Sequence, residues 1–437
     1  MFIIIGCFLT GCTIGSGIDT YLNPPKLSEQ HEQIYNALIK AEGSKINLKY
    51  PKSGAYLSAF VVADIDDEPT DEAIVFYEKT SITGNDVSTL RINFLDQKNG
   101  KWESVHDFST GGTEIERVFI SKLGTSQRKN VILGIGNQAE KSAQLFFYDS
   151  KTNMTENPQQ LGNYSIMDIR DINNDNQNEL LMIDSIPTGN IAQLKWLDTD
   201  NTLVSGPQLA LSENSNEIVQ LIYGKLNHDI TAVYIDSYIN TNTIITEILY
   251  PETHDGTIYL KSLPIGNGET GSINKTIRQS SLTSKDIDGD GTIEIPINSV
   301  FKGYEEKLET EQIPMTNWYI YENNMLIRKY SSYYSITDGY AFILPMRWLD
   351  QVTVKIINED VVFYKYDEIP DRQTELLKIC VVSSSDAEKI IKADEYAQYE
   401  QIYSYGDTVY LACIPKNLTE PLIPTVSEVQ FNFKLIS

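Results

Sequence analysis

From about Leu48 to about Ser335 the chain alternates apolar and polar residues with a period of two, in short runs rich in β-branched and aromatic side chains separated by polar turns. That period puts successive side chains on opposite faces of a strand, so it predicts many antiparallel strands. A helical period precedes it. Ile34, Leu38 and Ala41 share one face of a helix that starts at Ser28 and stops at Gly43, a residue that readily takes the positive φ found where helices end. Beyond Ser335 strand-like runs recur at Tyr340–Pro345, Val352–Ile356, Val361–Tyr364, Leu376–Val382 and Val409–Ile414. Between the last two, Ser385-Asp386-Ala387-Glu388 reads as a capping box opening a helix that carries Ile390, Ile391 and Ala393.

The β region repeats itself. Strand, loop, strand outlines occur at Val118–Ile120 with Val131–Leu133 and at Leu221–Tyr223 with Ala232–Tyr234, and a second strand signal recurs at Leu90–Phe94, Ala143–Phe147, Ala192–Trp196 and Asn317–Tyr321. Five repeats result, each large enough for several strands and a return, the size of a propeller blade of about 40–50 residues or somewhat more. The pattern predicts a mainly β chain: a β-propeller of about five blades, possible further blades being uncounted, followed by a small α+β domain. The expected boundaries are 1–11 for a signal peptide, 12–27 for a tether, 28–44 for the helix, 45–334 for the propeller and 335–437 for the C-terminal domain.

The first, third and fifth repeats carry an acidic loop. Asp64-Ile65-Asp66-Asp67-Glu68-Pro69-Thr70-Asp71-Glu72, Asp171-Ile172-Asn173-Asn174-Asp175-Asn176-Gln177-Asn178-Glu179 and Asp286-Ile287-Asp288-Gly289-Asp290-Gly291-Thr292-Ile293-Glu294 share oxygen-bearing side chains at the first, third, fifth and ninth positions. Alternate oxygens closed by a carboxylate four residues later converge on one hard cation, and an all-oxygen set suits Ca²⁺, which takes six to eight oxygens at ~2.3–2.6 Å. Asp, Asn and Gly also favour tight turns for backbone reasons of their own. The candidate ligands are Asp64, Asp66, Glu68 and Glu72; Asp171, Asn173, Asp175 and Glu179, with the carbonyl of Gln177; and Asp286, Asp288, Asp290 and Glu294, with the carbonyl of Thr292. Pro69 and the longer Glu68 make the first loop the least regular. An EF-hand closes at its twelfth position between helices and is a different device.

These loops resemble the FG-GAP or VCBS type repeats of integrin α-chain propellers and of many bacterial surface proteins, whose Asp-x-Asp-x-Asp-Gly-x-x-Asp loops hold Ca²⁺ between two strands of a blade. The resemblance covers roughly residues 50 to 330. Glu replaces the final Asp in all three loops, and the Phe-Gly and Gly-Ala-Pro signatures are not evident. It implies a structural Ca²⁺ as cofactor.

Composition narrows the partners. With 35 basic against 60 acidic residues the net charge is −25, which disfavours nucleic acid and anionic lipid surfaces, both of which are recognised through Lys and Arg. The apolar run Phe2–Leu9 is too short to span a bilayer. The tetrad Leu9-Thr10-Gly11-Cys12 that ends it resembles the lipobox of bacterial lipoproteins, although no Lys or Arg precedes the run. That resemblance implies a signal peptide, lipidation (palmitate-type acylation) of Cys12 and an extracytoplasmic chain anchored to the bacterial membrane. Cys380 and Cys413 are either a disulfide or two buried thiols, and His31, His106, His228 and His254 have no zinc-ligand spacing.

No Gly-x-Ser-x-Gly elbow or singled-out carboxylate pair is present, and Gly266-Asn267-Gly268-Glu269-Thr270-Gly271 lacks the helix start that a dinucleotide site needs. No catalytic residue is assigned. Tyr330, Tyr333, Tyr334 and Tyr340 read either as a recognition face or as strand packing. The expectation is a non-catalytic envelope lipoprotein whose Ca²⁺-stabilised propeller binds a protein or glycan. The alternative is an extracytoplasmic hydrolase or lyase with its site at the propeller axis.

Overall fold

The computed structural model describes residues 27–43, 46–79, 89–137, 140–148, 158–212, 215–226, 230–263, 273–393, 398–416 and 419–436. The signal segment, Cys12, His228 and the glycine-rich string at 266–271 lie outside them. The chain is mainly β, and it divides into two compact units: residues up to Lys122 together with Gln127–Asn163, and Leu123–Ser126 together with Tyr164–Ser437.

In the first unit the helix runs Glu29–Glu42, its Ser28 side chain accepting the N–H of His31 and Gly43 closing it at φ 89°. Ile34 and Leu38 are fully buried against Phe60, Val75, Tyr77 and Leu95. Ala41 is exposed, contrary to the sequence expectation; Tyr35 and Ala37 pack on that core instead. The first sheet takes Phe60–Ala63, Glu72–Lys79, Leu90–Lys98 and Lys101–Ser109 in consecutive antiparallel order, with Ile46–Leu48 added on the second of these strands. The second sheet takes Glu114–Ser121, Asn130–Asn137, Glu140–Phe146 and Gln159–Asn163 in the same way. Ile74, Phe76, Phe94, Val118, Leu133 and Phe146 share one core. Each such buried side chain contributes about 1.5–3 kcal/mol relative to exposure.

The second unit continues the pattern. Its third sheet holds Ile166–Arg170, Glu179–Ile186, Gly189–Leu197 and Leu203–Ser205, and its fourth Ile218–Lys225, Thr231–Asn240, Thr243–His254 and Thr257–Ser262. The fifth holds Ile295–Val300, Pro314–Glu322, Met325–Ser335 and Tyr340–Ile343, with Phe433–Leu435 returning to its edge. The segment read as an α+β domain supplies a sixth sheet, ordered Val352–Ile357, Asp360–Lys365, Thr374–Ser383, Thr408–Cys413, Tyr399–Tyr405, and the helices Ser384–Ala393 and Val426–Asn432. Its core is continuous with that of the fifth sheet, where Tyr340 and Phe342 pack with Trp348, Phe363 and Phe433.

The helix from Ser384 is capped two residues earlier than expected: Ser383 Oγ accepts the N–H of Asp386 at 3.2 Å and donates to its carboxylate at 2.9 Å. Ala387 is its buried residue, while Ile391 is exposed. Cys380 and Cys413 are buried thiols rather than a disulfide. They sit on neighbouring strands but not opposite each other, since Cys380 pairs with Leu411 and Cys413 with Lys378.

Candidate metal centre

The three acidic loops are built on one register. The residue before the first Asp pairs antiparallel with the closing Glu: Ala63 with Glu72, Arg170 with Glu179, and Lys285 with Glu294. In the third loop the leading strand is reduced to that single bridge. Each closing carboxylate is buried, at 1, 1 and 0 % exposure for Glu72, Glu179 and Glu294. Its Oε2 accepts the N–H of the second loop residue, from Ile65 at 2.8 Å, Ile172 at 3.0 Å and Ile287 at 2.9 Å. That isoleucine is itself buried. Apolar anchor and carboxylate together fold the six residues between them back on themselves.

Inside the loops the first Asp caps the turn. Asp64 Oδ1 accepts from Asp67 N at 2.8 Å; Asp171 takes Asp175 N at 3.1 Å and Asn176 N at 2.9 Å; Asp286 takes Gly289 N at 2.7 Å and Gly291 N at 2.8 Å. Asp67, Asn174 and Gly289 all have positive φ, at 61°, 60° and 83°. Asn176 and Gly291 repeat this two residues on, a conformation that the fixed φ of Pro69 denies the first loop. The third position accepts the fifth N–H throughout: Asp66 from Glu68 at 3.3 Å, Asn173 from Asp175 at 3.1 Å, Asp288 from Asp290 at 3.2 Å. Asp175 and Asp290 then accept from Gln177 and Thr292 at 2.8 and 2.7 Å.

Charge separates the three. Carboxylate oxygens of Asp286, Asp288 and Asp290 lie within 4.8 Å of one another, as do those of Asp64, Asp66 and Glu72. In the second loop Asn173 takes the third place and turns its amide onto Asp175 Oδ2 at 3.0 Å, so three carboxylates and one amide stand where the third loop has four acids. The third loop already holds a cation: Lys329 Nζ is 2.8 Å from Asp288, 2.6 Å from Asp290 and 2.9 Å from Glu294 Oε1. Burial opposes that ammonium, yet the hydrogen bonds to Asp288, Asp290 and Glu294 outweigh it and hold its pKa above the usual lysine value. Tyr330 donates to Asp288 Oδ2 at 2.7 Å. In the first loop Lys129 reaches the Asp64 carbonyl at 2.8 Å and its carboxylate at 3.4 Å, and Lys122 reaches Asp67 at 3.1 Å.

Burial pushes the closing glutamates upward, Glu72 and Glu179 to about 8 and Glu294 to about 7, against the opposing pull of the isoleucine N–H. For Glu72 the charges of Asp66, Asp96 and Asp64 add to the rise. Its Oε1 is buried with no hydrogen-bond partner. An all-oxygen set with an unsatisfied buried carboxylate oxygen fits a hard divalent cation. Asp64, Asp66, Glu68 and Glu72 would hold it in the first loop. For Gln177 and Thr292 the hydrogen bonds seen are those of their N–H groups, and these tighten the turn.

Sequence reasoning missed Lys329, Lys129 and Asp96, which come from strands or turns distant in the chain. The tyrosines are packing rather than a display surface: Tyr340 is fully buried, with Tyr333 at 5.9 Å between ring centroids, and Tyr330 serves Asp288. His31 stacks on Phe60 and His106 on Phe108. Among the described residues no helix is long and apolar enough to cross a membrane.

No family model matches the chain, and no curated protein matches it. Among solved structures it is similar to a mutant levansucrase of B. megaterium, at 9% identity over 78% of this chain and 96% of that one, with a TM-score of 0.20.

Proposed function

We propose that this chain is a non-catalytic, membrane-anchored lipoprotein of the cell envelope, in which the first five sheets, of four or five strands each, are blades of a β-propeller, calcium clamps its acidic loops, and the propeller presents a binding face to a protein or glycan. The observation that carries the calcium part is the shared register of the three loops, each closed by a buried glutamate on the N–H of a buried isoleucine. Three copies of one hydrogen-bond scheme around oxygen donors exceed what turn formation alone asks of the sequence. The anchor rests on Leu9-Thr10-Gly11-Cys12, and the exclusion of nucleic acid on the net charge of −25. A cation bound only by the folded chain stabilises it by an amount that grows with the logarithm of one plus its concentration over the dissociation constant. Thermal unfolding of the full chain in calcium and in chelator tests this. A higher melting temperature in calcium supports the reading, and equal temperatures refute it. Incorporation of labelled fatty acid that persists in Cys12→Ser refutes the anchor.

A further inference from the structure

Glu72 belongs to two groups of carboxylates. One is the loop set with Asp64 and Asp66; in the other, oxygens of Glu68, Glu72 and Asp96 lie within 4.8 Å of one another. Asp96 is outside the loop, on the strand Leu90–Lys98, and only 4 % exposed. It is held in place: Tyr148 donates to its Oδ2 at 2.9 Å and the N–H of Gln97 to its Oδ1 at 2.5 Å. Tyr148 is itself buried, stacked with Phe94 at 6.1 Å. Glu68 is half-buried and forms the side open to solvent.

The comparison with the third loop is instructive. There the Oε1 of the closing glutamate meets the ammonium of Lys329 at 2.9 Å. In the first loop the corresponding oxygen, Glu72 Oε1, is buried and has no hydrogen-bond partner, and its carboxylate is beside Asp96. The lysines of this loop are directed to Asp64 and Asp67. Buried like charges at this distance, one with an unsatisfied oxygen, are costly without a cation between them.

We propose that Glu68, Glu72 and Asp96 form a second cation site, sharing Glu72 with the site offered by Asp64 and Asp66, and that it takes a hard divalent cation of the calcium class. This rests on the reading that the acidic loops take calcium. The site ties the loop to the neighbouring strand through Asp96, with Tyr148 as the positioning residue.

The test is calorimetric titration of calcium into the full-length chain after chelation. Asp96→Asn keeps the side-chain shape and is expected to lower the number of calcium ions bound by one, while Asp171→Asn lowers binding at the second loop. Binding by Asp96→Asn equal to wild type, with Asp171→Asn reduced, overturns the second site and leaves the loop reading standing. A wild-type chain that takes up no calcium overturns both. If Asp96→Asn does not fold, terbium luminescence on folded chains decides. Emission excited through tyrosine is expected to fall in Tyr148→Phe, because Tyr148 is hydrogen-bonded to a proposed ligand; undiminished emission overturns the site.

Discussion

Lys329 Nζ lies 2.9 Å from Oε1 of Glu294, a carboxylate with no exposed side-chain surface. The same ammonium spans Asp288 and Asp290, so the third loop carries its own counter-charge. Replacing it with an apolar residue leaves three acids facing one another. Lys329→Met is expected to lose about 3 kcal/mol of stability in chelator, near the low end for breaking a buried pair because Asp290 is partly solvated. Calcium is expected to restore much of that loss, since the vacated position suits a divalent ion. Urea unfolding with and without calcium measures both effects, and an equal loss in the two conditions contradicts the argument.

The closing glutamate has a backbone duty distinct from any metal. Glu179 Oε2 accepts the N–H of Ile172 at 3.0 Å, and both residues are buried. Glu179→Ala leaves that donor without an acceptor, at a cost of about 1–3 kcal/mol. Glu179→Gln keeps an acceptor and removes a charge that burial already disfavours, so in chelator it is expected to be much the milder change. Chemical denaturation of the two variants in chelator checks the ordering; equal destabilisation would place the effect elsewhere.

Glu247 offers a pH test away from the loops. Its carboxylate is buried, accepting from Ser212 N at 3.0 Å and Ser262 Oγ at 3.3 Å, and burial raises its pKa above the ordinary value, against those two hydrogen bonds. The folded chain therefore holds this proton more tightly than the unfolded chain. The contribution to stability is complete below the unfolded pKa and is lost as pH rises through it toward the folded value. Glu247→Gln cannot ionise, so its stability relative to wild type is expected to rise between about pH 5 and about pH 8. Melting temperatures at the two pH values measure this, and a difference that shrinks with pH refutes it.

What the sequence displayed follows from which interactions are local. The capped helix from Ser28, the five repeated sheets and the three loops all depend on residues near one another in the chain: period, cap, and oxygen spacing. The closing position of each loop was legible for the same reason, because Glu72, Glu179 and Glu294 each stand nine residues into a recognisable motif. Lys329 and Asp96 were not, since each reaches its loop only once separate strands have paired. Ala41 fitted the helical stripe but fell on its exposed edge, where a small side chain tolerates either environment. The early cap at Ser383 was obscured by three consecutive serines, Ser383, Ser384 and Ser385, any of which serves as an N-cap by composition.

The strongest structural prediction concerns a charge pair that no local pattern reveals. Arg278 and Asp236 are both fully buried in side chain, 2.8 Å apart. Arg278 also donates to Thr246 Oγ1 at 2.7 Å, Ser284 Oγ at 3.0 Å, and the carbonyls of Leu282 and Thr276 at 2.5 and 2.9 Å. Asp236 in turn accepts from Ser284 N at 2.6 Å and Thr246 Oγ1 at 2.6 Å. The network pins the segment through Ser284, immediately before the third acidic loop, to the fourth sheet. Removing one partner leaves the other charge buried and unpaired, which costs about 3–5 kcal/mol, whereas replacing both with apolar residues of similar volume is often far milder. Arg278→Met is therefore expected to be severely destabilising, and Asp236→Leu with Arg278→Met less so than the two single effects summed. A double-mutant cycle by urea unfolding measures the coupling. Additive losses would mean that the pair holds the segment through packing alone and that its charges contribute nothing to each other.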